Sequence, residues 1–251
     1  MLQACLNGAR DRTEFRALPI TAFPVTAEEL AAEARRAVEA GAEDIHLHPK
    51  DGEGHDSLAP ELVAEAVTAV RAAVPKEVRI GVTTGAWTVP DPRRRADLIR
   101  SWPVLPDHAS VNWHEEGAET VAGVLLDLGV GVEAGIYSGT GAARAFLASP
   151  LAARVLRVLA EVTDTDPGTA EATAADLMKE LGEGVTVPVL LHGEEGGAWP
   201  VLRAAARQGL DCRIGLEDVL VLPDGSPAGG NAALVHAARN LVRTGRATGS
   251  P

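Results

Sequence analysis

Two histidines separated by one residue, His46 and His48 in the run IHLHPKDG, are the sharpest chemical feature of this sequence. On a β-strand, residues two apart project to the same side, so both imidazoles share one face while Ile45 and Leu47 take the other. Two neutral imidazoles at a strand end make two-thirds of a zinc site; the plainer alternative is a pair of satisfied core or rim histidines. A carboxylate to complete the set occurs in CRIGLEDVL, where Glu217 and Asp218 follow Arg213. A His₂Glu set leaves one coordination position open for water or substrate, which suits a catalytic rather than a structural zinc. The plainer reading of GLED is a cap on the next turn. Arg213 shares strand parity with Glu217, and a buried guanidinium needs a carboxylate, for which Asp218 is the obvious partner. Such a pair beside a metal either poises a carboxylate as a base or fixes an anionic substrate group. Glu133 in VEAGI is a further inward carboxylate, either a general acid or base or a solvated rim residue.

These residues can act together only if several strand ends converge. Along the chain a short apolar run, a polar or Gly-rich turn and an amphipathic stretch alternate, the pattern of parallel strands with crossover helices. Eight apolar runs fit: Leu2 to Leu6, Asp44 to Leu47, Arg79 to Thr83, His108 to Val111, Gly131 to Ile136, Val155 to Val162, Val187 to His192 and Cys212 to Leu216. Eight strands close a barrel, so the expected class is α/β with a (β/α)8 TIM barrel, a fold of about 250 residues whose active sites sit at the C-terminal strand ends. The sixth run reads as readily as helix. A doubly wound open sheet competes, but NGARDRTEF is not its Gly-rich phosphate turn. In a closed barrel the eighth strand neighbours the first and the first neighbours the second, which puts Glu217 roughly 10 Å from the histidine strand, backbone to backbone. Helices are expected after Thr26, whose hydroxyl forms a capping box with Glu29, and after Pro60 at a first helical position. Others are expected over Asp91 to Trp102, Glu116 to Leu128, Thr140 to Ala148, Asp166 to Leu181, Trp199 to Gln208 and Gly230 to Val242.

The 251 residues carry 35 acidic and 23 basic side chains, a formal charge of −12, which repels nucleic acid and anionic membrane alike. No run reaches about 18 apolar residues, and MLQACLNGARD lacks the basic start of an export signal. Cys5 and Cys212 form no metal or redox spacing and read as reduced, buried residues of a cytoplasmic protein. With no linker or composition shift, one domain over 1–251 is expected, its 244–251 tail frayed. Arg93, Arg94 and Arg95 read as a solvated face, GEEGG at 193–197 as a mobile loop or lid, and His55, His108 and His236 as surface or packing residues.

Taken together, NGA at 7–9, PVTAEEL at 24–30, AGAEDIHLHPKDG at 40–52, TTG at 83–85, SVN at 110–112, VEAGI at 132–136 and RIGLED at 213–218 resemble the β-keto acid cleavage enzymes, the family that includes the 3-keto-5-aminohexanoate cleavage enzyme. The likeness runs from the first strand to Asn231. It implies a zinc-dependent barrel that condenses a β-keto acid with the co-substrate acetyl-CoA, giving acetoacetate and a new CoA thioester. His46, His48 and Glu217 then look like the Zn2+ ligands, and Arg213 with Asp218 like the dyad that takes a proton from the acetyl methyl group. Thr83, Ser110 and Asn112 match polar positions near the substrate, Glu133 matches a glutamate of the site, and Glu14 matches a residue facing a substrate amino group. Relatives of this kind are homo-oligomers. The chain departs from the family at Lys50, where arginine is usual, at Val219, where asparagine commonly follows GLED, and in HGEEGGAW, which replaces a more basic segment.

Overall fold

Strands and helices alternate throughout the computed structural model, which describes residues 1–10 and 23–248. The strands are β1 (Leu2–Cys5), β2 (Asp44–Leu47), β3 (Arg79–Thr83), β4 (His108–Asn112), β5 (Gly131–Tyr137), β6 (Arg157–Val162), β7 (Val189–Gly193) and β8 (Cys212–Ile214). Between and after them come α1 (Ala27–Ala40), α2 (Pro60–Ala73), α3 (Pro92–Arg100), α4 (Ala118–Asp127), α5 (Ala142–Ala148), α6 (Ala170–Leu181), α7 (Ala198–Arg207) and α8 (Asn231–Thr248). All neighbours pair in parallel in the order β7-β6-β5-β4-β3-β2-β1-β8. The ring closes where Leu190 bridges Asp211 in parallel and the Leu191 N–H donates to the Asp211 carbonyl at 2.9 Å. This is the expected (β/α)8 barrel. Glu14 lies outside the described residues.

Local chemistry sets the element ends. The Thr26–Glu29 capping box is formed, and the Asp91 side chain accepts from the Arg93 and Arg94 N–H groups at the start of α3. The ambiguous sixth run resolves into turns over 151–156 and a strand from Arg157. β8 is shorter than its apolar run because the chain turns at Gly215. A Cβ there would lie 1.9 Å from the Cys5 carbonyl oxygen, so a side chain is excluded by the neighbouring strand itself. Ile45, Leu47, Ile80, Val82, Val132 and Ala134 face the helix layer in a continuous buried core.

The barrel interior is unusually polar. Gln3, Asp44, His108, Glu133 and Arg157, contributed by five strands, are all buried and bonded across it. Arg157 donates to Glu133 at 2.7 Å and to Asp44 at 2.8 Å, and Gln3 donates to both carboxylates at 3.0 Å. His108 lies 2.9 Å from Asp44 and 2.9 Å from Glu133, one ring nitrogen to each. The expectation that His108 is a packing residue therefore fails: two buried carboxylates need two cations, and Arg157 supplies only one. Burial opposes protonation of His108, but Glu133 and Asp44 override it and hold its pKa up at about 10. Because the folded value lies above the unfolded one of about 6.5, the stability from this contact is full below that value and disappears as pH rises through about 10. His108→Ala should cost about 3–5 kcal/mol at pH 7 by leaving buried charge uncompensated. Urea unfolding checks this, and a loss below about 1 kcal/mol contradicts it.

Arg95 is a second departure. It is fully buried rather than part of a solvated face, with Nη1 3.3 Å from Glu115 and Nη2 donating to the Glu116 carbonyl at 3.2 Å. Arg93 and Arg94 stay exposed. Both cysteines are buried thiols not joined in a disulfide, as read from their spacing. Among the described residues no helix is long and apolar enough to cross a membrane.

Candidate metal centre and active site

His46 sits in β2 and His48 just beyond its end, both pointing into the barrel as their parity requires. Asn7 fixes the local backbone: its side-chain oxygen accepts from the His48 N–H at 2.9 Å and its amide donates to the His48 carbonyl at 2.9 Å. Glu217 arrives from the turn after Gly215, which Asn231 clamps by accepting from the Leu216 N–H and donating to the Leu6 carbonyl, each at 2.9 Å. Gly8 makes room for Glu217, since a Cβ there would lie 2.4 Å from its Cγ. The three side chains offer ligand atoms all within 4.8 Å of one another.

The geometry suits a divalent ion. Glu217 Oε2 stands 3.9 Å from His46 Nε2 and 3.6 Å from His48 Nε2. Ligands at zinc-binding distances in a tetrahedron are about 3.3 Å apart, so the two carboxylate–imidazole gaps need to close by only roughly half an ångström, while the widest pair of the triad, within 4.8 Å, must draw in further. Glu217 Oε2 is buried without a hydrogen-bond partner, an arrangement that costs stability unless a cation takes it up. Burial holds the His46 pKa down at about 4, leaving it neutral and ligand-ready. Burial also opposes a charge on His48, yet Glu217 and Asp56 hold its pKa up at about 9, a field that calls for positive charge at that ring. Burial works against ionised Glu217 too, but Arg213, His48 and His46 keep its pKa well below the usual carboxylate range.

Supporting groups surround the triad. Asp56 accepts at 2.7 Å on His48 Nδ1, at 2.6 Å from Lys50 and at 2.9 Å from Trp87 Nε1. Its role as an orienting carboxylate was not visible in sequence, eight positions beyond His48 and outside the named strands. Such outer partners are worth about 10–100-fold in metal affinity. Asp56→Asn should weaken zinc binding by that factor in a chelator competition, and unchanged affinity would rule the role out. Lys50 also donates to the Gly8 carbonyl at 2.9 Å and so ties the first loop to the second.

Arg213 organises the other side. Its Nη2 donates to Glu217 Oε1 at 3.0 Å and to Asp218 Oδ1 at 2.9 Å, and its Nε lies 3.1 Å from both Asp218 Oδ1 and His192 Nδ1. That leaves Asp218 Oδ2 buried and without a partner. Burial pushes the Asp218 carboxyl up to about 6 against the opposing pull of Arg213. A cavity of about 440 Å³ opens here, lined by His48, Trp87, Glu161, Glu194, Glu217 and Asp218 among others. A larger groove of about 1120 Å³ between α1 and α2 contains neither the triad nor Arg213 and Asp218.

Other expected site residues are placed differently. Thr83, Ser110 and Glu133 share register across β3, β4 and β5 and so face inward, with Asn112 two residues beyond Ser110. None of the four lines the cavity. The Thr83 hydroxyl accepts from the Gly85 N–H at 3.3 Å, and Asn112 donates to Glu115 at 2.9 Å. Glu133 is no solvated rim residue: it belongs to the buried interior network, with Oε2 3.8 Å from His46 Nδ1. The run at 193–197, expected as a mobile loop, contains a short 3-10 turn over Glu195–Gly197 whose Glu195 N–H donates to the Asp218 carbonyl at 2.7 Å.

A family model described as beta-keto acid cleavage enzyme matches residues 1–248. Among solved structures, the apo form of ObcA is 17% identical with a TM-score of 0.67, over 87% of this chain and 61% of that one. The ternary complex of ObcA with a C4-CoA adduct and oxalate gives 17% and 0.67, over 89% and 64%. A type I 3-dehydroquinate dehydratase from Clostridium difficile is 10% identical with a TM-score of 0.65, over 98% and 92%. This chain thus spans a little over three-fifths of the length of ObcA, and at these identities the likeness is one of fold. The match over residues 1–248 carries more: the chain belongs to the beta-keto acid cleavage enzyme family.

Proposed function

We propose that this protein is a zinc-dependent β-keto acid cleavage enzyme that condenses a β-keto acid with acetyl-CoA, giving acetoacetate and a new acyl-CoA. The observation that carries the reading is the His46–His48–Glu217 triad, with its unpartnered Glu217 oxygen, beside Arg213 and Asp218. Family membership supplies the reaction class. Support for the substrates comes from ObcA, whose structures include a complex with a C4-CoA adduct and oxalate and another with oxaloacetate.

His46, His48 and Glu217 would hold the zinc, which when bound polarises a carbonyl oxygen as a Lewis acid. Arg213 engages one oxygen of Asp218 and so leaves Oδ2 as the free basic atom. Asp218 accepts the proton released from a carbon next to a carbonyl, and its raised pKa matches it better to that proton than an ordinary carboxylate. Such a proton is weakly acidic, so stabilisation of the enolate supplies most of the drive. Glu133, fixed by Arg157 and Gln3, supports the His46 ring from below rather than exchanging protons in the cavity.

Coenzyme dependence tests this reading. Consumption of a β-keto acid by the zinc-loaded protein should require acetyl-CoA. Equal consumption without it would favour a metal-dependent hydrolase or aldol-type lyase on the same ligands.

A further inference from the structure

Glu195, in the short turn after β7, is the one non-glycine residue with a left-handed backbone among the described residues, at φ +46°. That conformation costs stability for a residue with a Cβ and nothing for glycine. Strain of this kind persists only where the surroundings over-determine it, and it gathers at functional sites. Here the surroundings are specific. The Glu195 N–H donates to the Asp218 carbonyl at 2.7 Å, and its carboxylate is paired with Arg10. Arg10 in turn donates from Nε to the Glu217 carbonyl at 3.2 Å. Behind the turn, a Cβ on Gly196 or Gly197 would lie 2.3 Å from the carbonyl oxygen of Thr165 or Asp164, so the backbone is seated directly on the loop after β6.

Glu195 thus reaches both residues of the proposed chemistry through their main chain. Its N–H grips the peptide of Asp218, and its carboxylate, by way of Arg10, grips that of Glu217. Neither contact uses the Glu217 or Asp218 carboxylate, so both stay available for metal and proton. Asn231 already holds the start of the same turn at Leu216, and Glu195 with Arg10 holds its end. The ion pair itself is 18% and 45% exposed, and a pair so open to water adds little to folding stability. Stability is therefore a poor account of a strained glutamate here, where glycine would relieve the backbone.

We propose that Glu195 is a positioning residue: together with Arg10 it fixes the backbone of Glu217 and Asp218, and so sets where the metal-binding oxygen and the proton acceptor stand. This rests on the proposed metal centre and reaction.

The test compares Glu195→Gly, Glu195→Ala, Arg10→Ala and the double variant Arg10→Ala/Glu195→Gly. In metal-free protein, the Asp218 and Val219 N–H groups, which donate to the Gly215 carbonyl, should exchange with deuterium faster in every variant. Zinc affinity, from chelator competition, should fall by about tenfold in each single variant, as for loss of an outer partner. In urea, Glu195→Gly should be at least as stable as the unaltered protein and more stable than Glu195→Ala, because its strain is gone. The double variant should lose no more zinc affinity than the weaker single variant, since the two side chains act as one unit. Unchanged exchange and zinc affinity in Glu195→Gly overturns the proposal, as do additive losses or a fall in zinc affinity that only follows a fall in urea stability. A raised KM with kcat and zinc affinity unchanged also overturns it, making the pair a substrate contact. The expected exchange and zinc losses in a protein that shows no turnover support the positioning and count against the reaction. If the unaltered protein binds no zinc, the metal centre fails and the exchange of Asp218 and Val219 decides the positioning alone.

Discussion

Replacing His46 with alanine should abolish metal retention and turnover together. In the proposed centre the ring is one of three ligands, and His48 and Glu217 could not close a catalytic site alone. A Lewis acid contributes several kcal/mol of transition-state stabilisation, so its loss lowers kcat/KM by at least about 10³-fold. Bound zinc, measured by elemental analysis after gel filtration, falls from near one per chain to a small fraction. The fold survives, because the interior network of Asp44, His108, Glu133 and Arg157 closes without this side chain. Zinc content and rate that both match the unaltered protein would remove the metal centre from the account.

The second large effect belongs to Asp218. Asp218→Asn keeps the size of the side chain and an oxygen for Arg213 while removing the basic carboxylate. It should lower kcat by about 10²–10⁴-fold, the range for loss of a positioned general base. Zinc content should not change, since Asp218 is not among the three ligands. A loss of that size with full zinc occupancy assigns Asp218 to the proton transfer. A loss of zinc in parallel would instead make its role structural, through Arg213 and Glu217.

Much of this arrangement was legible in the sequence because it follows from strand parity. His46 and His48 had to share a face, and closure of eight strands had to bring Glu217 from the turn after β8 to them by way of β1. The Arg213–Asp218 pair followed from the need of a buried guanidinium for a carboxylate. What stayed hidden depends on contacts across the barrel. The interior role of Asp44, His108 and Arg157 joins residues 64 and 113 positions apart, and no local pattern records such pairing. Glu161 escaped notice because the sixth run reads equally as helix, and without a strand start its inward parity cannot be assigned. Asp56 lies outside the named strands, in an isolated antiparallel bridge with Lys50 just past the turn at 52–54, where period-two reasoning does not apply. Arg95 looked solvated because its two neighbours are, whereas the helix period turns it alone toward Glu115.

The polar interior also explains how the site is held. Most barrels of this kind fill the interior with branched apolar side chains. Here a buried, charge-balanced network lies under His46 and fixes strands β1, β2, β4, β5 and β6 relative to one another. Glu133 links that network to the candidate metal centre, 3.8 Å from His46 Nδ1.

The most direct test of the central claim is to incubate the zinc-loaded protein with isotopically labelled acetyl-CoA and a β-keto acid, and to follow the products by mass spectrometry. The account predicts label in acetoacetate and a new CoA thioester carrying the remainder of the keto acid, both absent with Asp218→Asn. Unlabelled products, or consumption of the keto acid with acetyl-CoA untouched, would contradict it.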